Sequence, residues 1–298
     1  MAQAWEADLV AVDEGLARRL LVGAGHVPRS LRLLAEGWDR AVWVVDEQLV
    51  VGFPRKEVVV PMIEREIALL PRIAPLLPVP VPDPVLVGEP STEFPWPWYA
   101  SRFLPGEEAA LAPLDDDERV AVGIDLARFL RVLHAVDLDA ELPVDVNHRA
   151  DMSNRAERLR ELRGRLGADG TWVAPPAVEE LLEAALALPP PRLGSLVHGD
   201  LYPRNYLVHE GRLSGVIDWI DLGRSDPAID LSFLWSLVPS RGRTQVAAAY
   251  GGIDEAALLR SRVLALFMGC VILEYAEATG HPALGAFARD ALARTLES

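Results

Sequence analysis

The chain predicts an α+β fold of two lobes, a small antiparallel-sheet lobe at the N-terminal side and a larger, mainly helical lobe after it. Three observations carry that expectation. Short apolar runs separated by turns fill residues 31 to 53, helical periodicity dominates after Gly106, and 298 residues are about twice the ~150 that serve as a soft prior for one domain. The boundary is expected at Leu104–Pro105, giving lobes of residues 1–104 and 105–298.

From Glu6 to Val22, Leu9, Val10, Val12, Leu16, Leu20 and Leu21 recur at helical spacing, and Gly23 and Gly25 end the run, so an amphipathic helix is expected. Leu31–Ala35, Ala41–Val45 and Gln48–Phe53 read as a three-stranded meander, broken at Glu36–Gly37–Trp38–Asp39 and turned at Asp46–Glu47. Pro61 can open the next helix. Its apolar face is Met62, Ile63, Ile67 and Leu70, and it carries Glu66. The proline-dense stretch from Leu76 to Pro97 replaces helix with extended chain, and strands at Val85–Val87 and Trp98–Phe103 complete a five-stranded lobe.

Beyond Gly106, helices are expected at 120–134, 155–166, 178–188, 230–237, 244–250, 255–275 and 282–296. Asp115 to Asp117 start the first of them, and Leu126, Phe129, Leu130 and Leu133 form its apolar stripe. No internal repeat interrupts the series.

Hydrophobic residues make up 50% of the chain and charged ones 24%, the balance of a globular protein rather than a disordered one. A net charge of -15 argues against a nucleic-acid partner. The single cysteine, Cys270, excludes an internal disulfide and a cysteine-built zinc site, and a reducing cytoplasm is the simplest expected home. The stretch MAQAWEADLV lacks the basic start of a signal peptide. The apolar run Val263–Leu273 is too short to cross a bilayer, so no membrane partner is expected.

The chemistry concentrates in LVHGDLYPRNYLVHEGRLSGVIDWIDLGRSDPAIDLSFL, from Leu196 to Leu234. Apolar Ser195–Val197 leads into a loop holding His198, Asp200, Pro203 and Asn205; Tyr206–Val208 and Val216–Ile217 flank a Glu210–Gly211 turn and lead to Asp218. Taken singly, Asp200 reads as a turn residue and Asp218 as a strand-end one. Together they set three oxygen-bearing side chains on loops at strand ends. Phosphoryl transfer needs a carboxylate to take the acceptor hydroxyl's proton and hard oxygen ligands for magnesium, and an Asp, four residues and an Asn followed by a second Asp supplies both.

HGDLYPRN, the VIDW around Asp218 and DPAID at Asp226–Asp230 resemble the aminoglycoside and macrolide phosphotransferase family, small-molecule kinases with a protein-kinase-like fold. The resemblance runs over nearly the whole chain. It implies Asp200 as catalytic base, Asn205 and Asp218 as Mg2+ ligands, Asp230 as a buried brace of the catalytic loop and His198 as structural support. It further implies ATP or GTP as phosphate donor and a small hydroxylated molecule, an aminoglycoside or macrolide antibiotic among the options, as acceptor. The nucleotide would lie between the lobes, with a hinge near 99–105 whose Ser101 and Phe103 meet the base, Leu207 and Ile217 under the purine, and the GWDR loop over the phosphates.

One position departs from the pattern. Where the family carries a basic residue before Phe53–Pro54–Arg55, paired with Glu66, this chain has Gly52. Arg40, Arg55 and Lys56 are the candidate substitutes. A basic residue introduced at 52 is expected to restore the pair, and a nucleotide-binding pseudokinase with little turnover is the alternative reading.

Overall fold

The computed structural model describes residues 9–37 and 39–297, and counts of elements below refer to these. The start of the expected N-terminal helix and Trp38 of the GWDR loop lie outside the described residues. The chain divides into two compact units, one of residues 1–76 and 80–104, the other of 77–79 and 105–298.

In the first unit, helix α1 (Glu14–Gly23) begins later than its apolar spacing suggests, because Asp13 caps it, its side chain accepting the Leu16 N–H at 2.7 Å. Residues 9–13 are not helical, and the Val10 N–H donates to the Arg55 carbonyl. Strands β1 (Leu31–Glu36), β2 (Arg40–Val45) and β3 (Leu49–Pro54) form the meander. Helix α2 (Val60–Ile73) follows with Pro61 in its first turn, then β4 (Pro84–Gly88) and β5 (Trp98–Arg102). The antiparallel sheet runs β1-β2-β3-β5-β4, so β5 inserts between β3 and β4. Its core joins α1 through Ala17, Leu20 and Leu21 to Trp43, Phe53, Phe94 and Trp98, with the Phe53 ring 5.0 Å from Trp98 and 5.8 Å from Phe94. The aromatic rings of the FPWPW segment thus pack against the sheet.

The second unit opens with the short strand β6 (Glu107–Glu108) and then α3 (Asp116–Leu133), which starts with a capping box: Asp115 accepts the Glu118 N–H, and the Glu118 carboxylate accepts the Asp115 N–H. Helices α4 (Met152–Ala168) and α5 (Ala177–Leu186) precede the segment from Leu196 to Leu234. There β7 (Ser195–Val197) pairs antiparallel with β10 (Gly223–Ser225), while β6, β8 (Tyr206–His209) and β9 (Arg212–Val216) form a separate ribbon. The two-residue turn joining β8 and β9 puts Glu210 and Gly211 at φ 49° and 69°, the positive pair that a tight hairpin of this hand needs.

A 3-10 stretch, Pro227–Ser232, and a single helical turn, α6 (Phe233–Ser236), stand where one helix from 230 to 237 is expected. Pro227 opens the stretch and Asp226 caps it. Helices α7 (Ser240–Tyr250), α8 (Glu255–Thr279) and α9 (Pro282–Leu296) complete the unit. The 25-residue α8 is longer than its apolar run and, by length and composition alone, long and apolar enough to cross a membrane. Val263, Leu266, Phe267, Cys270 and Leu273 are nonetheless buried, in one core with α4, α5 and α9. Burial pushes the Cys270 thiol up to about 12, the state of a packed core residue and not of a nucleophile.

Candidate active site

The loop after β7 is built around a buried carboxylate. Asp230 has no exposed surface; its two oxygens accept the backbone N–H groups of His198 at 2.7 Å and Gly199 at 3.0 Å, and one of them also meets His134 Nε2 at 3.1 Å. Burial alone would push this carboxyl up. The hydrogen bond and charge of His134 and the Gly199 N–H outweigh it and hold the group below its ordinary range. Gly199 turns the chain at φ +89°, and a Cβ there would come within 2.4 Å of the Asp221 carbonyl oxygen. Only glycine fits.

His198 is wholly buried and makes two bonds of opposite sense. Its Nδ1 accepts the Asp200 N–H at 3.2 Å, which leaves Nε2–H to donate to the Ile217 carbonyl at 2.9 Å. The imidazole therefore ties the loop bearing Asp200 to the residue before Asp218. The Ile217 N–H donates to the Asn205 carbonyl at 2.9 Å, so Asp218 follows directly on a residue paired with Asn205. Asp218 has φ +63°. An Asp held in left-handed backbone is uncommon and collects at functional sites. The Asn205 amide nitrogen donates to the Asp200 carbonyl at 2.8 Å and lies 3.5 Å from Asp200 Oδ2.

Asp200 itself faces a cation that the sequence reading missed. Arg149 Nη1 donates to Asp200 Oδ1 at 2.5 Å, and Nη2 donates to the carboxylate of Asp221. Burial pushes the Asp200 carboxyl above its ordinary range, with Arg149 opposing the rise and Asp221 adding to it. Arg149 ends a loop of unusual backbone, Asp145, Asn147 and His148 all having positive φ. That loop is held by Asp145, which accepts from the Ala150 N–H and the Ser225 hydroxyl, and by the buried Arg155, which donates to the carbonyls of Asn147 and Arg149. These partners lie 51 to 80 residues from one another along the chain in the two key pairs, Arg149–Asp200 and Asp145–Ser225. No local pattern announces them. The spacing of two aspartates at 218 and 221 was the available signal for Asp221.

In the first unit, the departure at Gly52 has a structural answer. Arg40 on β2 donates to Glu66 Oε1 at 2.7 Å, and the other oxygen of this fully buried carboxylate accepts the Tyr99 hydroxyl at 3.0 Å. Burial and the Glu66 charge push the Tyr99 phenol well up, so it stays a donor. A Cβ at Gly52 would sit 3.2 Å from Arg40 Cδ. Glycine at 52 leaves room for an arginine that reaches Glu66 from the neighbouring strand, which corrects the expectation that a basic residue at 52 is needed to restore the pair. Arg55 is engaged elsewhere: it donates to the Gly37 carbonyl at 2.7 Å and pairs with Glu36 at 2.8 Å, bracing the turn before Arg40. Lys56 is buried and precedes the 3-10 turn Glu57–Val59.

Of the hinge candidates, Ser101 is buried within β5, its backbone between Val50 and Pro84. The Phe103 N–H donates to the Gln48 carbonyl at 2.8 Å and is thereby committed to the sheet. Leu207 is buried on β8, opposite Gly215 and Glu108, and Ile217 is half-buried.

A five-stranded antiparallel sheet with an Arg–Glu pair, followed by a mainly helical unit with an Asp–Asn loop and a second Asp on left-handed backbone, defines the class of kinase-like phosphotransferases. The sequence pattern of the phosphotransferase enzyme family matches residues 30–264, and the chain belongs to that family. It is accordingly a phosphotransferase enzyme. Among solved structures, the GDP complex of wild-type aminoglycoside 2'-phosphotransferase-IIIa is similar at 20% identity, with a TM-score of 0.68 over 95% of this chain and 98% of that one. Macrolide 2'-phosphotransferase MphH from Brachybacterium faecium, an apoenzyme, is 27% identical with a TM-score of 0.61 over 93% and 97%. The GDP and kanamycin complex of APH(2")-IIia is 20% identical with a TM-score of 0.64 over 93% and 97%. No curated protein sequence matches the chain.

Proposed function

We propose that this enzyme transfers the γ-phosphate of ATP or GTP to a hydroxyl of a small, antibiotic-like molecule, with Asp200 as the base. The observation that carries this reading is the fixed Asp200 carboxylate: Oδ1 is taken by Arg149, and Oδ2, 3.5 Å from the Asn205 amide, is the oxygen left to receive the acceptor's proton. The GDP complexes among the similar structures support a purine nucleotide as donor.

The donor set suits magnesium. The Asn205 amide nitrogen is committed to Asp200, which leaves its carbonyl oxygen, and Asp218 adds a carboxylate; both are hard ligands. Among the described residues no three His, Cys, Asp or Glu side chains gather into a metal cage. A cation held by two protein oxygens and completed by phosphates and water is the magnesium pattern. When bound, the ion would neutralise charge on the phosphates. Arg40, oriented by Glu66 and Tyr99, would supply the phosphate-facing cation in place of a basic residue at 52. The pseudokinase alternative rested on Gly52, and the Arg40–Glu66 pair supports the phosphotransferase reading over it.

Nucleotide-dependent gain of one phosphate, read by mass across a panel of aminoglycosides, macrolides and other hydroxylated compounds, tests the reading. One or more acceptors should be modified by wild type and none by Asp200→Asn. A panel left unmodified while nucleotide is bound would count against it.

A further inference from the structure

A carboxylate on a single Cβ turns easily about its last torsion and exchanges its two oxygens, so a base needs a second contact to fix which oxygen faces the acceptor. At Asp200 that contact is Arg149, whose Nη1 donates to Oδ1 at 2.5 Å while Nη2 donates to the carboxylate of Asp221. One planar guanidinium thus bridges two carboxylates. Its donors stand at a fixed angle, so anchoring one prong on Asp221 sets where the other meets Asp200. The side chains of Arg149 and Asp200 are each 20% exposed and that of Asp221 7%, so all three charges are largely out of water, where an unmatched one is costly.

The backbone that delivers Arg149 is strained and stitched in place. Asp145, Asn147 and His148 have φ of 47°, 59° and 50°, left-handed values that persist where surrounding contacts over-determine them. Those contacts come from the chain just after Asp221. Val144 bridges Arg224, the Asp145 N–H donates to the Arg224 carbonyl at 2.8 Å, and the Arg224 N–H donates to the Pro143 carbonyl at 2.9 Å. A Cβ at Gly223 would come within 2.7 Å of that Pro143 oxygen. The Asn147 amide donates to Asp221 at 3.3 Å. Arg149 and its second anchor are therefore carried on two segments bonded to each other. We propose that Arg149, anchored by Asp221, is the positioning residue of Asp200, holding Oδ1 so that Oδ2 faces the acceptor hydroxyl. This assignment rests on the reading of Asp200 as the base.

Double-variant kinetics on the full chain test it. Turnover is read as phosphate transfer from Mg-ATP and Mg-GTP to water and to any acceptor that the compound panel identifies; nucleotide Kd is read by calorimetry. Arg149→Gln should lower kcat by roughly 10- to 10²-fold, the scale of a misplaced reacting group, with nucleotide Kd within about twofold of wild type. Arg149→Lys should recover only part of the rate, because an ammonium is a single point of charge and cannot reproduce the fork. Asp221→Asn should lower kcat in the same sense. In an Asp200→Asn background, Arg149→Gln should change the rate less than about twofold, since a residue acting through Asp200 has nothing left to position. A merely structural residue would cost as much there as in wild type. That full further loss, or a wild-type kcat in folded Arg149→Gln, overturns the assignment. Should Arg149→Gln not fold, Asp221→Asn carries the same comparison, and a wild-type kcat or an additive loss with Asp200→Asn overturns the clamp. Wild-type rates in Asp200→Asn, or no turnover by wild type toward water or the panel, would instead strike the proposed function and take this assignment with it.

Discussion

At the scale of single residues, Asp200 and Arg40 carry the sharpest expectations. Asp200 must be ionised to accept a proton, and its burial raises the pH at which it ionises. Activity should therefore rise with pH along an acidic limb that lies above the ordinary carboxylate value of about 3.9. A kcat/KM profile flat down to that value would contradict the assignment. Asp200→Asn should lower turnover by roughly 10²-fold or more with nucleotide affinity little changed, as for loss of a general base. At Arg40 the prediction is a reversal: Gly52→Lys should bring no gain in nucleotide affinity, because its side chain enters the space of Arg40 Cδ and competes for Glu66. Arg40→Ala should weaken binding, and the double variant Arg40→Ala/Gly52→Lys should recover part of the loss. Calorimetry with magnesium present decides it, and an Arg40→Ala protein of undiminished affinity would return the role to Lys56 or the backbone.

The element that holds the site is the 3-10 stretch Pro227–Ser232, through Asp230. Its carboxylate takes two backbone N–H groups and a His134 nitrogen at once, and His134 Nδ1 lies 2.8 Å from the Tyr250 hydroxyl on α7. Because the folded state lowers the Asp230 pKa, the stability it contributes is fully present above the ordinary carboxylate value and is lost as pH falls below it toward the folded value. Asp230→Asn retains one acceptor oxygen and turns an amide donor toward the remaining N–H, which should cost about 3–5 kcal/mol, the range for breaking a buried charge pair. The variant should also lose part of the acid sensitivity of wild type in denaturant titrations between pH 5 and 2. Equal stability of the two proteins at neutral pH would show that the network is not needed to hold the loop.

For the whole molecule, ligand linkage gives the expected outcome. A nucleotide that binds only the folded chain should raise its stability by about 2.7 kcal/mol at a hundredfold excess over Kd. Magnesium should add to the thermal shift in wild type and add nothing in Asp218→Ala, where one of two protein oxygens is gone. A magnesium increment that survives intact would leave Asp218 as a residue of the backbone turn alone.

The sequence by itself determined most of the elements and the loop proposed to be catalytic, since both are written in short windows. Short apolar runs bounded by turns mark β2 and β3, caps mark α3, and His198, Asp200, Asn205 and Asp218 stand within 21 residues along one strand–loop–ribbon segment. Local signals failed where a cap or a proline overrode periodicity, at α1 and at the 3-10 stretch before α6. Tertiary structure alone decided which charges meet. Glu66 could be named as an acid awaiting a cation, but that the cation comes from Arg40 follows from the pairing of β2 and β3, which sets position 40 near 52. Arg149 reaches Asp200 across 51 residues and Asp221 across 72, and nothing in a local pattern encodes such distances. Pairing partners of a buried charge are selected by the packing of distant elements, where low dielectric makes the cost of leaving any of them alone largest.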